Sequence, residues 1–434
     1  MRTDKSHALY QEAKEIMPGG VSSPVRAIDP YPFYVQSARG AQITDVDGNS
    51  YIDYCMGYGP LVLGHAHPAV RAAVAKQLEK GWDYGTPITL EIDLAARIRT
   101  HVPSIEMLRF VSTGTEATMS AVRAARGFTG KDTIVKIEGG YHGAHDAVLV
   151  KPGSAATSTA SSLGVPPEAV KNTVQVPFND IGALAVTLEK HEPACVIMEP
   201  VMGNIGPVLP VGAYLKEVRS VTSENDVLLI FDEVITGFRL GAGGAQHVYD
   251  VVPDLTTLGK IVGGGFPIGV FGGKREVMEL VAPLGAVYNA GTFSGHPISL
   301  AAGLATLSVL NEEVYRHINR LGDQLRRMLT DRLAELRLNL VVQGIGSMFQ
   351  LFFAGHPVQN YEDARRCDDR LYKRFAGFMR DEGVFLPPSQ YETCFLSLAH
   401  SSEDVAFTVE AYTRALEKLF GRVVGNPNPQ HHTT

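Results

Sequence analysis

The stretch Val227-Leu228-Leu229-Ile230-Phe231-Asp232-Glu233-Val234 indicates the fold of the chain. Five apolar residues run directly into two acids, which is typical of a strand covered on both faces in a parallel sheet. Asp232 would then lie at the carboxyl end of that strand, where open α/β sheets bind ligands. A metal ligand, a buried ion pair or a helix N-cap would explain the acids equally well.

Similar apolar runs lie on both sides of this strand along the chain. Further candidate strands are Thr133–Ile137, Ala194–Met198 and Asp254–Leu258, and Val211–Glu224 has a helical pattern. Strands that alternate with helices predict an α/β fold with a mainly parallel sheet.

The pattern changes after about residue 310. Long charged amphipathic helices are predicted at Glu312–Leu336, Ala364–Glu382 and Ser402–Leu419, with short strands between them. We therefore expect a large α/β domain over residues 56–310 and a smaller α+β domain over 311–424. Residues 1–55 are expected to pack with the small domain, and residues 425–434 to form a flexible tail.

Composition and charge restrict the class of protein. The 434 residues are 45% hydrophobic and 20% charged, with a net charge of −7, which fits a globular enzyme and gives no footprint for nucleic acid or an anionic membrane. No apolar run is long enough to span a membrane, and Met1–Tyr10 lacks the apolar core of a signal peptide. Four scattered cysteines argue against zinc and disulfides, so we expect a cytoplasmic protein without a metal.

The stretch Ser112-Thr113-Gly114-Thr115-Glu116-Ala117 follows the mostly apolar Leu108–Val111 and opens a helix. A helix start with small residues exposes free N–H groups to an anion such as phosphate, and Gly114 lets the anion approach the backbone. Thr113 and Glu116 have the spacing of a capping box, so a well-capped helix without a ligand remains the alternative.

Two glycine-rich turns carry further candidates. Lys260 follows the strand Asp254–Leu258 and precedes Gly263-Gly264-Gly265, a crowded setting in which a lysine can have a depressed pKa and form an imine. Tyr141, in Gly139-Gly140-Tyr141-His142-Gly143, could stack on a flat heteroaromatic ring. A structural lysine and a turn whose rings fill the core are the alternatives.

The segment Ser154–Val170 is rich in small residues and poor in apolar ones. A long segment of this kind in a compact enzyme is either a lid or a surface loop without a role.

Together these motifs resemble those of the class III, fold type I aminotransferases, and among them most narrowly the glutamate-1-semialdehyde 2,1-aminomutases. The similarity covers roughly residues 5–420. Its most specific elements are Gly19-Gly20-Val21-Ser22-Ser23-Pro24-Val25-Arg26, Gly59-Pro60-Leu61-Val62-Leu63-Gly64-His65-Ala66-His67-Pro68, Gly114–Ser120, Phe231–Arg239, Asn360–Ala364, Pro388–Glu392 and Ser397–His400. The resemblance implies a fold type I pyridoxal-phosphate transferase, with the small domain built from the N- and C-terminal segments.

The resemblance also implies a role for each matching residue. Lys260 carries pyridoxal phosphate covalently and moves protons, and Asp232 pairs with the cofactor's ring nitrogen. The other implied cofactor contacts are Gly114 and Thr115 at the phosphate, joined by Thr292 from a partner subunit, Tyr141, His142 and Val234 around the ring, and Asn204 at the phenolic oxygen. The implied substrate contacts are Ser23, Arg26, Tyr58, Ser154 and Glu392. An arginine suits the substrate carboxylate because its fork binds a carboxylate at two points.

The activity implied by the resemblance is an intramolecular amine exchange that begins from pyridoxamine phosphate. It converts glutamate-1-semialdehyde into 5-aminolevulinate, the tetrapyrrole (porphyrin) precursor, through 4,5-diaminovalerate. The expected partners are a second copy of the chain, in a homodimer with shared active sites, and, transiently, the enzyme that produces the semialdehyde. The alternatives are a class III aminotransferase with a separate amino donor, a catalytically silent scaffold, and a nicotinamide dehydrogenase, which the absence of GxGxxG disfavours.

Overall fold

The computed structural model describes residues 1–151 and 160–421. The strands, in chain order, are β1 Val35–Arg39, β2 Gln42–Asp45, β3 Ser50–Asp53, β4 Met107–Val111, β5 Ile134–Ile137, β6 Thr173–Val176, β7 Cys195–Met198, β8 Leu228–Asp232, β9 Leu255–Gly259, β10 Gly269–Gly273, β11 Val341–Ile345, β12 Met348–Phe352, β13 Val384–Phe385 and β14 Cys394–Phe395. The helices are α1 Asp4–Ile16, α2 Pro68–Leu78, α3 Thr89–His101, α4 Gly114–Thr129, α5 Pro167–Val170, α6 Ile181–His191, α7 Tyr214–Glu224, α8 Gly244–Val248, α9 Arg275–Met278, α10 Pro297–Val309, α11 Glu312–Glu335, α12 Tyr361–Arg366, α13 Asp369–Asp381 and α14 Ser402–Phe420.

A seven-stranded sheet forms the centre of the fold, in the order β4-β10-β9-β8-β7-β5-β6. Strand β10 pairs antiparallel with both of its neighbours, and the other strands run parallel to one another. The predicted mainly parallel α/β fold is therefore confirmed. The four candidate strands named from the sequence correspond to β5, β7, β8 and β9.

Both faces of this sheet are covered, which explains why its strands are apolar throughout. Along β8, Leu229 and Phe231 pack on one face against helices α6 and α7, while Leu228 and Ile230 pack on the other face with α4. Successive side chains of a strand point to opposite faces, so a strand buried on both sides needs apolar residues at consecutive positions.

The N-terminal strands join the C-terminal half of the chain. Strands β1, β2 and β3 form a four-stranded sheet with β13, and β13 pairs with β3 in parallel. A third sheet contains β11, β12 and β14, and it packs with the long helix α11. None of the helices in the described ranges is long and apolar enough to cross a membrane.

One predicted helix differs from the structure. The helix predicted over Ala364–Glu382 is divided into α12 and α13, because Cys367 is extended and the Asp368 carboxylate accepts hydrogen bonds from the N–H groups of Arg370 and Leu371. This N-cap starts a new helix where the apolar pattern alone suggested continuity. The segment Ser154–Val170 ends in the short helix α5, where Val170 is buried, and residues 154–159 lie outside the described residues. Whether this segment is a lid or a surface loop without a role stays a prediction.

Candidate active site

A cavity of about 390 Å³ lies at the edge of the sheet where the parallel strands end. Strands β9, β8, β7 and β5 are neighbours, so the residues that follow them converge at this edge. The structure brings together eight residues that the sequence singled out, and all of them line the cavity: Gly114, Thr115, Tyr141, His142, Asn204, Asp232, Val234 and Lys260.

Helix α4 begins at the wall of this cavity. Its N-cap is Thr113, whose side chain accepts from the N–H of Glu116, while the Glu116 carboxylate accepts from the N–H of Ser112 at 2.7 Å. The first N–H groups of a helix have no partner within the helix, so those of Gly114 and Thr115 remain available to an anion. Only half of the predicted capping box forms, because the Glu116 carboxylate binds the N–H of Ser112 and not that of the N-cap Thr113. A capped helix start and an anion site are therefore compatible here.

Asp232, the last residue of β8, is buried and held from three sides. Its carboxylate accepts from Nδ1 of His142 at 2.8 Å, from Oγ1 of Thr257 at 3.0 Å and from the N–H of Val234 at 3.1 Å. These donors hold a charged carboxylate in place without a salt bridge to lysine or arginine in the described part of the chain. The carboxylate can therefore accept a further proton-bearing group from the cavity.

Lys260 follows β9 directly and adopts a left-handed backbone conformation, with φ of +48°. Its Nζ donates a hydrogen bond to the backbone carbonyl of Tyr58 at 2.8 Å. Burial lowers the pKa of the Lys260 amine, and the negative charges of Glu392, Glu199 and Asp232 oppose that effect. The neutral form of the amine is thus more populated here than for a lysine in water, and a nucleophile or a proton carrier requires that form.

The loop that faces Lys260 has an unusual backbone. Four consecutive residues have positive φ, namely Met56 at 47°, Gly57 at 64°, Tyr58 at 66° and Gly59 at 112°. For the two that are not glycine this conformation costs about 1–3 kcal/mol each, so the surroundings must hold the loop.

Two groups fix the ends of this loop. At one end, the Asp53 carboxylate accepts from the N–H groups of Cys55 and Met56 and binds Nε2 of His65 at 2.7 Å. At the other end, the buried Arg239 guanidinium donates to the carbonyl of Gly59, and it also donates to the carbonyl of Leu396 at 2.9 Å. Nothing in the element Phe231–Arg239 singled out Arg239, because its partners are distant along the chain, namely the carbonyls of Gly59 and Leu396 and the Ser347 hydroxyl.

Glu199, to which no role was assigned from its sequence motif, also lines the cavity. It lies at the end of the buried strand β7, as Asp232 lies at the end of β8. This position after an apolar run could have identified Glu199 as a site residue from the sequence. Its carboxylate contacts both Tyr141 and Asn204, through the backbone N–H of the former and the side-chain amide of the latter. The Tyr141 side chain is itself 52% exposed, with room for a ring beside it.

The predicted substrate residues lie mostly beside this cavity. Arg26 and Tyr58 line a neighbouring cavity of about 590 Å³, and the hydroxyl of Tyr58 donates to the carbonyl of Val25. Glu392 is half-buried and close enough to Lys260 to influence the pKa of that amine. Ser23 is half-buried at the start of the same N-terminal turn, and Ser154 lies outside the described residues.

The sequence Ser22-Ser23-Pro24-Val25-Arg26 favours an extended chain around Arg26, because proline restricts the residue before it, and the structure corrects this. Ser23 is extended, but Pro24–Arg26 form one turn of 3-10 helix, closed by a hydrogen bond from the N–H of Ala27 to the carbonyl of Pro24. Proline is tolerated at the first position of a helical turn, and it restricts only the backbone of the preceding residue, Ser23, to an extended conformation.

Thr292 is not part of the cavity around Lys260 in its own chain. It lies in an exposed stretch with Phe293 and lines a separate surface cavity together with residues 83–88.

A model of the family described as Aminotransferase class-III matches residues 25–416. The chain belongs to the class-III aminotransferase family. It is 59% identical over 418 residues to the glutamate-1-semialdehyde 2,1-aminomutase of Methanosarcina acetivorans, a comparison that covers 95% of this chain and 98% of the relative.

Two solved structures are similar to this chain over nearly its whole length. One is a transaminase with PLP bound, with a TM-score of 0.89 and 33% identity, covering 97% of this chain and 99% of that chain. The other is a glutamate-1-semialdehyde aminomutase from Pseudomonas aeruginosa PAO1, with a TM-score of 0.88 and 28% identity, covering 96% and 95%.

The cavity fits pyridoxal phosphate, on which class-III aminotransferases depend. A Cβ at Gly143, where φ is +91°, would lie 2.6 Å from Oγ1 of Thr115, so this wall is shaped by the absence of a side chain. A Cβ at Gly114 would lie 3.3 Å from the methyl groups of Val234. Three kinds of partner for the cofactor surround the cavity. The free N–H groups of the helix suit a phosphate, the Asp232 carboxylate suits a ring nitrogen, and the buried Lys260 supplies an amine.

Proposed function

We propose that the chain is a glutamate-1-semialdehyde 2,1-aminomutase that works between the pyridoxal- and pyridoxamine-phosphate forms of its cofactor. The observation that carries this proposal is the 59% identity, over nearly the whole chain, to a relative with that activity. The solved transaminase and aminomutase structures are both more distant, at 33% and 28% identity, so the proposal rests on the sequence relative. The product, 5-aminolevulinate, would serve tetrapyrrole synthesis.

In this proposal each cavity residue has a physical task. The cofactor, when bound, supplies a ring that withdraws electrons from the carbon bearing the amine. Asp232 holds the ring nitrogen protonated, and Gly114 and Thr115 bind the phosphate at the start of α4. Lys260 anchors the cofactor and carries protons on Nζ, a task that its lowered pKa supports.

The remaining cavity residues orient the ring and the substrate. Tyr141, His142 and Val234 would enclose the ring, and Asn204 would face its phenolic oxygen. The substrate enters from the side of Arg26, whose guanidinium would hold the carboxylate. Ser23, Tyr58 and Glu392 would line this entry, with Ser154 from a segment outside the described residues.

The proposed assembly is a homodimer in which Thr292 reaches the phosphate site of the partner. The exposure of Thr292 and Phe293, away from the cavity of their own chain, supports this arrangement. Closed twofold symmetry is the commonest arrangement of soluble oligomers. A transient contact with the enzyme that makes the semialdehyde, and a cytoplasmic location, stay predictions.

The division of the chain is proposed in the same terms. Residues 56–310 would form the large cofactor-binding domain, and 311–424 the small domain, completed by 1–55. The pairing of β3 with β13 supports the last assignment. The tail, residues 425–434, lies outside the described residues.

The decisive experiment supplies glutamate-1-semialdehyde to the cofactor-loaded protein with no other amine and measures 5-aminolevulinate. Steady formation of the product is expected. If product forms only when a separate amino donor is added, the protein is a class-III aminotransferase of the ordinary kind. If the visible spectrum of the bound cofactor does not respond to the substrate at all, both activities are contradicted.

A further inference from the structure

Glu199 is a buried carboxylate that the cofactor-binding scheme above does not use. It is 3% exposed and stands at the end of β7, between the strand that ends in Asp232 and the strand that leads to Tyr141. Its Oε1 accepts from the N–H of Tyr141 at 3.2 Å. Its Oε2 accepts from the N–H of Gly203 at 2.8 Å and from Nδ2 of Asn204 at 3.0 Å.

All three of these partners are N–H donors, which suits a charged carboxylate. A carboxylate accepts at both oxygens, whereas a protonated carboxyl would turn an O–H towards an N–H. Burial raises the pKa of the Glu199 carboxyl, and the negative charge of Asp232 acts in the same direction. The donors from Gly203 and Asn204 lower it, and the arrangement satisfies the charged form.

The carboxylate also fixes which way the Asn204 amide points. Because Glu199 can only accept, the amide nitrogen must face it, and that nitrogen has a second hydrogen left for the cavity that Asn204 lines. A glutamine at position 199 would not impose this direction, because it offers a donor as well as an acceptor.

We propose that Glu199 is a positioning residue that holds Asn204 as a hydrogen-bond donor towards the cofactor's phenolic oxygen and holds the backbone of Tyr141 beside it. The inference rests on the proposed cofactor contacts of Asn204 and Tyr141. A donor at the phenolic oxygen stabilises its deprotonated form, so Glu199 would set the pH at which the bound cofactor changes its visible absorbance.

A reversal of the hydrogen-bond direction tests this. In the double variant Glu199→Gln/Asn204→Asp, one carboxylate and one amide remain and can still bond to each other, but the donor now lies on residue 199 and the acceptor faces the cofactor. The N–H of Gly203, which shares Oε2 of Glu199 with Asn204, loses its acceptor, and the thermal midpoint reports that loss separately. The titration midpoint of the cofactor's absorbance should move upward by roughly one pH unit, a tenfold change in proton affinity. The value of kcat should fall roughly tenfold or more, as for loss of a hydrogen bond to a charged group.

Glu233 provides the matched control. Like Glu199, it is a fully buried glutamate, and it does not line the cavity. Its carboxylate accepts hydrogen bonds from the N–H groups of Ala245 and Gln246, the Gln246 side chain and the Thr236 hydroxyl. Glu233→Gln should lower the thermal midpoint while leaving the absorbance midpoint unchanged. If it moves the absorbance midpoint as much as the double variant does, the effect is general loosening and the proposal is wrong.

The proposal is equally wrong if the double variant keeps the absorbance midpoint and the kcat of the parent, since the direction of the hydrogen bond would then be immaterial. Should the double variant fail to fold, Glu199→Gln alone decides: it must lower kcat roughly tenfold at a thermal midpoint similar to that of Glu233→Gln. The absorbance titration needs only bound cofactor. It therefore separates a failure of this inference from a failure of the aminomutase activity, which the parent protein would reveal with glutamate-1-semialdehyde.

Discussion

Lys136→Met probes a buried charge beneath the loop that presents Tyr141. Lys136 is 4% exposed in the middle of β5, and its Nζ donates to the carbonyls of Gly140 at 2.9 Å and Val148 at 3.3 Å. Burial lowers the pKa of the Lys136 amine from 10.5 to about 8, against an opposing contribution from the Glu199 carboxylate. A tenfold change in proton affinity is worth about 1.4 kcal/mol, so keeping Lys136 charged at pH 7 costs the folded state about 3 kcal/mol.

The sign of the pH dependence follows from the two pKa values. Between pH 8 and 10.5 the unfolded chain holds the Lys136 proton and the folded chain has released it, so this group makes folding more favourable as pH rises. Methionine removes that dependence and leaves two carbonyls without their donor, a penalty that does not vary with pH. The free energy of unfolding of the variant minus that of the parent should therefore fall by about 3 kcal/mol from pH 7 to 10.5.

Urea unfolding at pH 7, 8, 9, 10 and 10.5, with cofactor in excess and at one protein concentration, measures this difference. The control is Lys171→Met, which removes an exposed lysine paired with Glu168 at 2.6 Å. The pKa of the Lys171 amine is raised by that pair, so its removal cannot mimic the predicted trend. A difference for Lys136→Met that stays constant over this pH range, or that grows, would refute the reasoning.

Four further predictions concern the site itself. Lys260→Ala should abolish turnover while the protein still retains its cofactor, and near-normal turnover would show that another group carries the chemistry. Arg26→Lys should raise KM for the semialdehyde far more than it changes cofactor affinity, because the loss of two-point carboxylate binding weakens substrate binding by roughly 1–3 kcal/mol. An unchanged KM would remove Arg26 from the site. Mixing Lys260→Ala with Thr292→Val subunits should restore part of the activity, since a heterodimer with shared sites keeps one site intact, and a monomeric mass by light scattering contradicts this. Gly143→Ala should weaken cofactor affinity in a titration, because its Cβ would lie 2.6 Å from Oγ1 of Thr115 in a left-handed backbone; parental affinity would count against the phosphate cradle.

The central strands could be predicted from the sequence because burial on both faces leaves an unmistakable apolar run. The observed β8, Leu228–Asp232, differs by one residue from the expectation, and β7 and β9 differ by a similar amount. Strand β10 was missed, since Gly269-Val270-Phe271-Gly272-Gly273 contains too many glycines for such a run. Its glycines are required by the close approach of neighbouring backbones: a Cβ at Gly273 would lie 2.2 Å from the carbonyl oxygen of Asp254.

The site residues that could be named in advance are those whose position along the chain carries the information. Asp232 and Lys260 each follow a buried strand, so the end of the strand locates them. Arg239 and Lys136 could not be found in this way, because each binds backbone carbonyls, which every residue possesses. The break between α12 and α13 could not be predicted for a similar reason, since an aspartate such as Asp368 occurs both on the exposed face of a helix and at an N-cap.

The order of strands explains why Glu199 matters more than its chain position suggests. In sequence, β5 precedes β7 by about sixty residues, yet in the sheet they are neighbours, and β8 and β9 follow on the other side. Adjacent strands are about 4.8 Å apart, so Lys260, Asp232, Glu199 and the Tyr141 loop follow one another along a single edge. A charged group at each of three neighbouring strand ends must bind a ligand or another side chain, because a buried charge left alone is costly. Asp232 and Glu199 each accept from three donors of the chain, but two of the Glu199 donors belong to Tyr141 and Asn204, which line the cofactor cavity. The Glu199 carboxylate therefore holds Asn204 and Tyr141 in place, and this is the basis for assigning it a positioning role.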